Sequence, residues 1–81
     1  MNAGSFYPKS GSVTNCGKGA GKGFSVNIPW DVGYSENAVT AGTDEYIYAF
    51  ERVALPIIKE FSPEFIIISA GFDSAEGDPL G

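Results

Sequence analysis

The 81-residue sequence contains no histidine and a single cysteine, Cys16. One cysteine cannot form an internal disulfide, which favours a reducing intracellular compartment. Without a histidine, Cys16 also lacks the usual base that would activate it as a nucleophile. Catalytic zinc sites generally use three protein ligands drawn from His, Cys, Asp and Glu. The chain by itself therefore does not offer a typical set of ligands for catalytic zinc.

Positive charge is also scarce, with five Lys and Arg against ten Asp and Glu and a net charge of −5. The lysines are dispersed, so a surface that binds the phosphates of a nucleic acid directly is not predicted. The first residues have neither the basic nor the apolar region of a signal peptide. No apolar run approaches the roughly 20 residues of a membrane helix. We expect no secretion, no contact with a membrane and at most one small domain.

Residues 1–23 are rich in glycine, and their last part suggests a phosphate-binding loop. A Walker loop needs a glycine five residues before its Gly-Lys pair and a Ser or Thr after it, but these positions hold Cys16 and Gly23. The dinucleotide-binding spacing also fails, because Lys22 occupies its third glycine position. This region is therefore predicted to be a surface loop, flexible or tightly turning, and not a phosphate site.

Periodicity predicts one β-α-β unit in the rest of the chain. Apolar residues alternate with polar ones over about 24–29, as in a strand with one apolar face. Spacings of three and four then predict a helix over about 44–61, capped by Thr43 and kinked or divided at Pro56. A second strand is predicted over about 64–70. Such a unit places both strands in a parallel sheet with a right-handed crossover.

The second predicted strand is apolar on both faces, because Phe65 is followed by Ile66, Ile67 and Ile68. A single helix covers only one face of a two-stranded sheet, so the other face would remain in water. Strands that are apolar on both faces are typical of parallel sheets covered on both sides. The sequence therefore indicates either a piece of a larger α/β domain or a chain whose partner supplies the missing layer.

Asp73 comes just after this strand and is the first candidate for chemistry. Open α/β sheets bind ligands beyond the carboxyl ends of their strands. The residues alone leave two roles open for Asp73, a metal ligand or acid and a cap of the following turn. Glu76 and Asp78 extend an acidic cluster, but Ala75 occupies the third position of what would be an EF-hand loop. We interpret these two residues as solvated or turn-forming.

An ordered set of short segments resembles the histone deacetylase family, most closely its class II branch. The matching segments are 4–8, 17–19, 23–30, 44–46, 49–50, Pro56, 60–63, 69–73 and 77–81. They cover nearly the whole chain in the order of the family. Each segment alone is weakly specific, and the closing part, Ser-Ala-Gly-Phe-Asp at 69–73 with Gly-Asp-Pro-Leu-Gly at 77–81, is the most telling.

The resemblance implies an arginase-like α/β fold with a central parallel sheet, which hydrolyses acetyl-lysine with a zinc-bound water. It implies that Asp73 is one aspartate ligand of the Zn²⁺. Phe6 and Tyr7 match the aromatic segment that walls the channel for the acetyl-lysine side chain. Phe24 matches a position whose backbone carbonyl binds a structural K⁺ in some members.

Several parts of the family's machinery have no match in this chain: the Asp-x-His zinc segment, the histidine pair and the oxyanion-stabilising tyrosine. We therefore expect residues 1–81 to be a fragment of one deacetylase catalytic domain that is inactive alone. Residues 1–23 would contribute the glycine-rich loop and channel aromatic, and 24–81 the β-α-β unit and metal-ligand loop.

The resemblance also implies partners and a compartment. The partners are acetylated lysines of histones or other proteins, the remainder of a deacetylase domain and corepressor proteins, in the nucleus or cytoplasm. The alternative hypothesis is a small non-catalytic α/β module that docks on a partner through an uncovered apolar sheet face.

Overall fold

The computed structural model describes residues 7–30 and 41–79. A short 3-10 turn covers Gly19–Gly21. Helix α1 covers Thr43–Ala49, a π-helical segment covers Phe50–Ala54, and helix α2 covers Leu55–Phe61. The three helical segments follow one another without a break. The helix predicted over about 44–61 is therefore confirmed.

The helix begins one residue earlier than predicted, because Gly42 and not Thr43 is the capping residue. The Glu45 carboxylate accepts a hydrogen bond of 2.8 Å from the Gly42 backbone N–H. The Gly42 carbonyl accepts the N–H of Tyr46 at 3.1 Å. Thr43 is thus the first helical residue, and the prediction that it caps the helix is wrong. A glutamate three residues after the cap reaches back to the cap N–H, and an acid there also favours the positive end of the helix dipole.

Pro56 is accommodated by a widened turn. The N–H of Leu55 bonds to the carbonyl of Phe50, five residues earlier, at the end of the π-helical segment. A proline inside an α-helix donates no hydrogen bond, and its ring crowds the carbonyl four residues before it, here that of Arg52. Arg52 lies within the π-helical segment. The π-helical segment separates α1 from α2, and Pro56 lies in the first turn of α2, where its missing N–H is tolerated.

The helix ends at Ser62, whose backbone adopts the left-handed conformation with φ 55° and ψ 57°. Its N–H donates to the carbonyl of Ile58 at 2.9 Å. Left-handed residues commonly terminate helices in this way, and Pro63 directly afterwards cannot continue the helix.

The two predicted strands are not confirmed. Within the described part of the chain, neither 24–29 nor 64–70 is a strand. The apolar run is largely exposed, at 80% for Phe65, 82% for Ile67 and 81% for Ile68. A strand exists only when a second strand satisfies its backbone groups, and no described residues pair with these segments as a ladder. The parallel sheet therefore remains a prediction.

The direction of segment 24–30 nevertheless matches the first half of a β-α-β unit. The Phe24 ring contacts Phe61 edge-on, with centroids 6.3 Å apart, near the end of the helix. Trp30 lies against Tyr46, with centroids 5.3 Å apart, near its start. The segment thus runs along the helix in the opposite direction, as a strand does before the helix that follows it.

The described residues have almost no interior of their own. Ala49 is the single buried hydrophobic residue among them, at 8% exposure. Apolar helix positions stay substantially exposed, for example 54% at Phe50 and 65% at Phe61. Exposed apolar surface on this scale indicates a surface that other parts of a protein cover. No helix in the described ranges is long and apolar enough to cross a membrane.

Candidate functional site

Asp73 lies where the apolar run ends and two consecutive turns begin. The N–H of Ala75 donates to the Phe72 carbonyl at 3.1 Å, and the N–H of Asp78 donates to the Ala75 carbonyl at 3.1 Å. Gly77 has φ +93°, a conformation suited to glycine, which helps the second turn close. Backbone hydrogen bonds therefore hold both turns.

The Asp73 carboxylate is exposed. An added Cβ on Gly71 would lie 3.4 Å from its Oδ1, so the carboxylate lies back over Gly71. With the residues that the structure describes, the carboxylate makes no hydrogen bond or ion pair. Asp73 therefore makes no turn-capping hydrogen bond to these residues, which was one of its two predicted roles. Its carboxylate oxygens are accessible to a ligand.

One accessible carboxylate does not make a metal site. Among residues 7–30 and 41–79, no group of three metal-ligating side chains lies together. Cys16 is exposed and free. Carboxylate oxygen is a normal zinc ligand, but a catalytic site generally needs three protein ligands. Asp73 thus fits one ligand position, and the described residues do not complete a zinc site.

The other predicted site residues fall on separate parts of the chain. Tyr7 is 86% exposed at the start of the described part, and Phe6 lies outside the described residues. Phe24 is 72% exposed and its N–H donates to the Gly21 carbonyl at 3.1 Å. No recorded hydrogen bond or ring contact joins Tyr7, Phe24 and Asp73. Their assignment to the channel, the K⁺ and the Zn²⁺ stays a prediction.

The glycine-rich loop is a tight turn closed at its base. The N–H of Gly23 donates to the Cys16 carbonyl at 2.6 Å. Inside the loop, the N–H of Gly21 donates to the Lys18 carbonyl at 3.0 Å, and that of Lys22 to the Gly19 carbonyl at 3.2 Å. A phosphate loop needs free N–H groups directed at the ligand. The tightly turning form is thus the one observed, and the N–H groups of Gly21, Lys22 and Gly23 are used inside the loop.

Sequence reasoning missed the role of Asn27, which it treated only as a polar position of a strand. The Asn27 Nδ2 donates to the carbonyls of Ser12, at 3.1 Å, and Asn15, at 2.9 Å. An amide NH₂ has two donors, and both are used here. The bonds span fifteen and twelve residues, so neither periodicity nor local spacing signals them.

Gly17 carries the largest steric constraint in this loop. Its φ is +96°, and a Cβ at this position would collide with the carbonyl oxygen of Gly21. Gly21 has open space at its own Cβ position. We expect Gly17→Ala to weaken the closed loop by at least about 1 kcal/mol, since alanine is strained at positive φ.

Amide hydrogen exchange at Gly23 measures this effect, because the Gly23 N–H bonds across the base of the loop. Exchange should be faster by at least about fivefold in Gly17→Ala. The matched control Gly21→Ala should leave it nearly unchanged. Equal exchange in the two variants would contradict the closed-loop geometry.

Comparisons with known proteins decide the family. A family model described as the histone deacetylase domain matches residues 1–81. The chain belongs to the histone deacetylase family. The resemblance inferred from the ordered segments is confirmed.

Individual histone deacetylases agree over nearly all of the chain. It is 50% identical over 78 residues to histone deacetylase 15 of Arabidopsis thaliana, covering 96% of this chain and 13% of that protein. It is 47% identical over 76 residues to histone deacetylase 7 of Homo sapiens, covering 94% of this chain and 8% of that protein.

The structure agrees as well. The crystal structure of the HDA15 HD domain matches with a TM-score of 0.84 and 49% identity, over 99% of this chain and 21% of that chain. The described backbone therefore has the conformation of part of a histone deacetylase domain. The chain spans about a fifth of that solved domain and between 8% and 13% of the two relatives.

Proposed function

We propose that this chain is part of a zinc-dependent protein-lysine deacetylase, which hydrolyses acetyl-lysine in histones or other proteins. The observation that carries the proposal is the match of the deacetylase family model to residues 1–81, which includes the turn of Asp73. The structural match over 99% of the chain, at a TM-score of 0.84, supports it, because that coverage takes in the apolar run and the turn of Asp73. A nuclear or cytoplasmic location accords with this role.

Asp73 has the proposed role of one zinc ligand. Its exposed carboxylate, turned back over Gly71 at the end of the apolar run, is free to bind a metal. Zinc in such a domain lowers the pKa of a bound water and polarises the acyl carbonyl. Other parts of the deacetylase domain would supply the remaining ligands and the acid–base groups, because the described residues do not complete a site.

Phe6 and Tyr7 are proposed to wall the channel for the acetyl-lysine side chain. An aromatic wall suits the apolar methylene stem of lysine while leaving the acetyl end at the metal. The 86% exposure of Tyr7 leaves its ring open to a substrate or to neighbouring parts of the domain. The carbonyl of Phe24 is the proposed contact of a structural K⁺.

The exposed apolar run supports the proposal that the rest of a deacetylase domain covers this chain. Phe65, Ile67 and Ile68 are at least 80% exposed, and the HDA15 HD domain contains about five times as much chain. In the complete domain, 65–70 would pair as an interior strand of the parallel sheet, and Asp73 would follow its carboxyl end.

The proposal predicts that residues 1–81 alone do not hydrolyse an acetyl-lysine peptide, even with zinc added. A single carboxylate holds zinc too weakly to create the shaped, open site that the chemistry needs. The measurement is release of acetate from a fluorogenic acetyl-lysine peptide, with the complete domain as the positive control. Turnover by purified residues 1–81 that is lost in Asp73→Ala would show that no further residues are required.

The complete domain tests the activity itself. It should release acetate, and a chelator should stop the release while added zinc restores it. A complete domain that binds zinc and leaves acetyl-lysine intact would contradict the proposed reaction. The alternative of a non-catalytic interaction module is not favoured, because the family match covers the entire chain.

A further inference from the structure

The turn at 12–15 is held by a side chain from a distant part of the chain. The N–H of Asn15 donates to the Ser12 carbonyl at 2.9 Å, and the Ser12 and Thr14 hydroxyl oxygens lie 3.1 Å apart. Asn27 then donates to the carbonyls of Ser12 and Asn15. Three hydrogen bonds therefore meet on two carbonyl oxygens, and two of the three come from one amide group.

The segment that contains Asn27 packs against the helix on both sides of Asn27. Asn27 lies between Phe24, which contacts the Phe61 ring, and Trp30, which contacts the Tyr46 ring. Asn27 is half-buried, unlike its exposed neighbour Val26. The amide therefore connects a segment anchored at both ends of the helix to the turn at 12–15.

Among the described residues, that turn is the first place after Tyr7 where hydrogen bonds join the backbone to a distant segment. Tyr7 is 86% exposed, and no ring contact with another described residue holds its side chain. Between Tyr7 and Ser12 the chain contains Lys9 at φ 64° and Gly11 at φ +86°. Four residues join Tyr7 to Ser12, so a shift of the backbone at Ser12 is passed on toward Tyr7 through a short connection.

We infer that Asn27 is a positioning residue for the aromatic wall of the acetyl-lysine channel, acting through the carbonyls of Ser12 and Asn15. The inference rests on the proposed deacetylase function and adds a residue to it. Asn27 touches neither substrate nor metal. It ties the turn at 12–15, from which the chain leads back to Tyr7, to the helix-anchored segment 24–30.

Steady-state kinetics on the complete deacetylase domain, with an acetyl-lysine peptide as substrate, test the inference. Asn27→Ala should raise KM by roughly fivefold to tenfold, because the two hydrogen bonds that hold the turn at 12–15 are lost. The kcat should change by less than about twofold, and the zinc content per protein should stay constant. Asn27→Asp has the same shape without an N–H donor and should act like Asn27→Ala. Asn27→Ser keeps one donor and should lie between the wild type and Asn27→Ala.

Asn15→Ala is the matched control, because it removes an amide side chain and keeps the backbone carbonyl that accepts from Asn27. It should leave KM unchanged. If Asn27→Ala has the KM of Asn15→Ala, or if it lowers zinc content and kcat while KM stays constant, the positioning role is overturned.

Amide hydrogen exchange of residues 12–16 gives a readout independent of activity. Protection at Asn15 should fall in Asn27→Ala and Asn27→Ser and persist in Asn15→Ala, because the Asn15 N–H bonds to the carbonyl that Asn27 holds. Unchanged protection in the Asn27 variants would show that the two Asn27 hydrogen bonds do not hold the turn at 12–15. A wild-type domain without deacetylase activity would overturn both the proposed function and the positioning role. In that case the exchange result would still decide whether Asn27 holds the turn.

Discussion

Replacing Asp73 by asparagine in the complete deacetylase domain is expected to remove most of its bound zinc and nearly all of its activity. The substitution keeps the size and shape of the side chain and removes the negative charge that is proposed to bind the metal. Changes to groups that only support zinc ligands already cost about 10-fold to 100-fold in affinity or activity. We therefore expect a loss of at least about 100-fold in kcat/KM for Asp73→Asn, measured together with the zinc content of the purified domain.

Glu76→Gln provides the matched control. Glu76 is an exposed carboxylate in the same pair of turns, three residues after Asp73. The substitution removes the same charge from the same region, so a general electrostatic effect on zinc would appear in both variants. We expect full zinc content and activity within about twofold of the wild type in Glu76→Gln, because exposed surface substitutions usually have small effects. Equal losses in the two variants, or full zinc in Asp73→Asn, would contradict the ligand assignment.

Ile67→Ala is expected to have a large effect in the complete domain and a small one in residues 1–81 alone. In the complete domain, where Ile67 is proposed to lie inside a covered sheet, the substitution should lower the free energy of unfolding by about 2–5 kcal/mol. In residues 1–81 alone, Ile67 is 82% exposed and buries little surface. There, helix content and solubility should hardly change, or solubility should increase.

Chemical denaturation of the complete domain and circular dichroism of residues 1–81 measure the two effects. Val13→Ala is a control, since Val13 is also exposed, at 71%, but lies in the glycine-rich region and not in the apolar run. Its cost in the complete domain should be below about 1 kcal/mol. A cost for Ile67→Ala as small as that of Val13→Ala would show that 65–70 is not an interior strand.

The helix was the most predictable element, because its signal lies in the chain itself. Spacings of three and four defined its length, and the structure gives helical residues from Thr43 to Phe61. The capping residue was misplaced by one position. Threonine and glycine are similar capping residues by propensity, and the Glu45 carboxylate, which accepts from the Gly42 N–H, favours the earlier start.

The strands could not be predicted as reliably as the helix, because a strand needs hydrogen bonds from a second segment. The ring contacts at the two ends of segment 24–30 agree with the direction of a β-α-β unit, but alternation does not identify which segment would pair with its backbone. The apolar isoleucines after Phe65 predicted coverage on two faces, and the described residues cover neither. The same excess of apolar surface was the physical sign of a larger domain.

The candidate site was predictable only in part. Asp73 stood out because a carboxylate followed an apolar run, and the structure gives it an exposed position at the start of a turn. Residue chemistry alone did not separate a ligand from a turn cap, and the proposal that Asp73 is a ligand rests on the family resemblance. Asn27 gave no signal, because its two hydrogen bonds depend on how the loop at 16–23 brings distant residues together.

The zinc-ligand role of Asp73 and the interior position of 65–70 can be tested together by a crystal structure of the complete domain, with anomalous diffraction recorded at the zinc edge. We expect a zinc peak with an Asp73 Oδ atom about 2.0–2.2 Å from the metal. We also expect 65–70 to form backbone hydrogen bonds with strands on both sides. A zinc peak whose ligands exclude Asp73, or an apolar run at 65–70 that remains unpaired, would contradict both assignments.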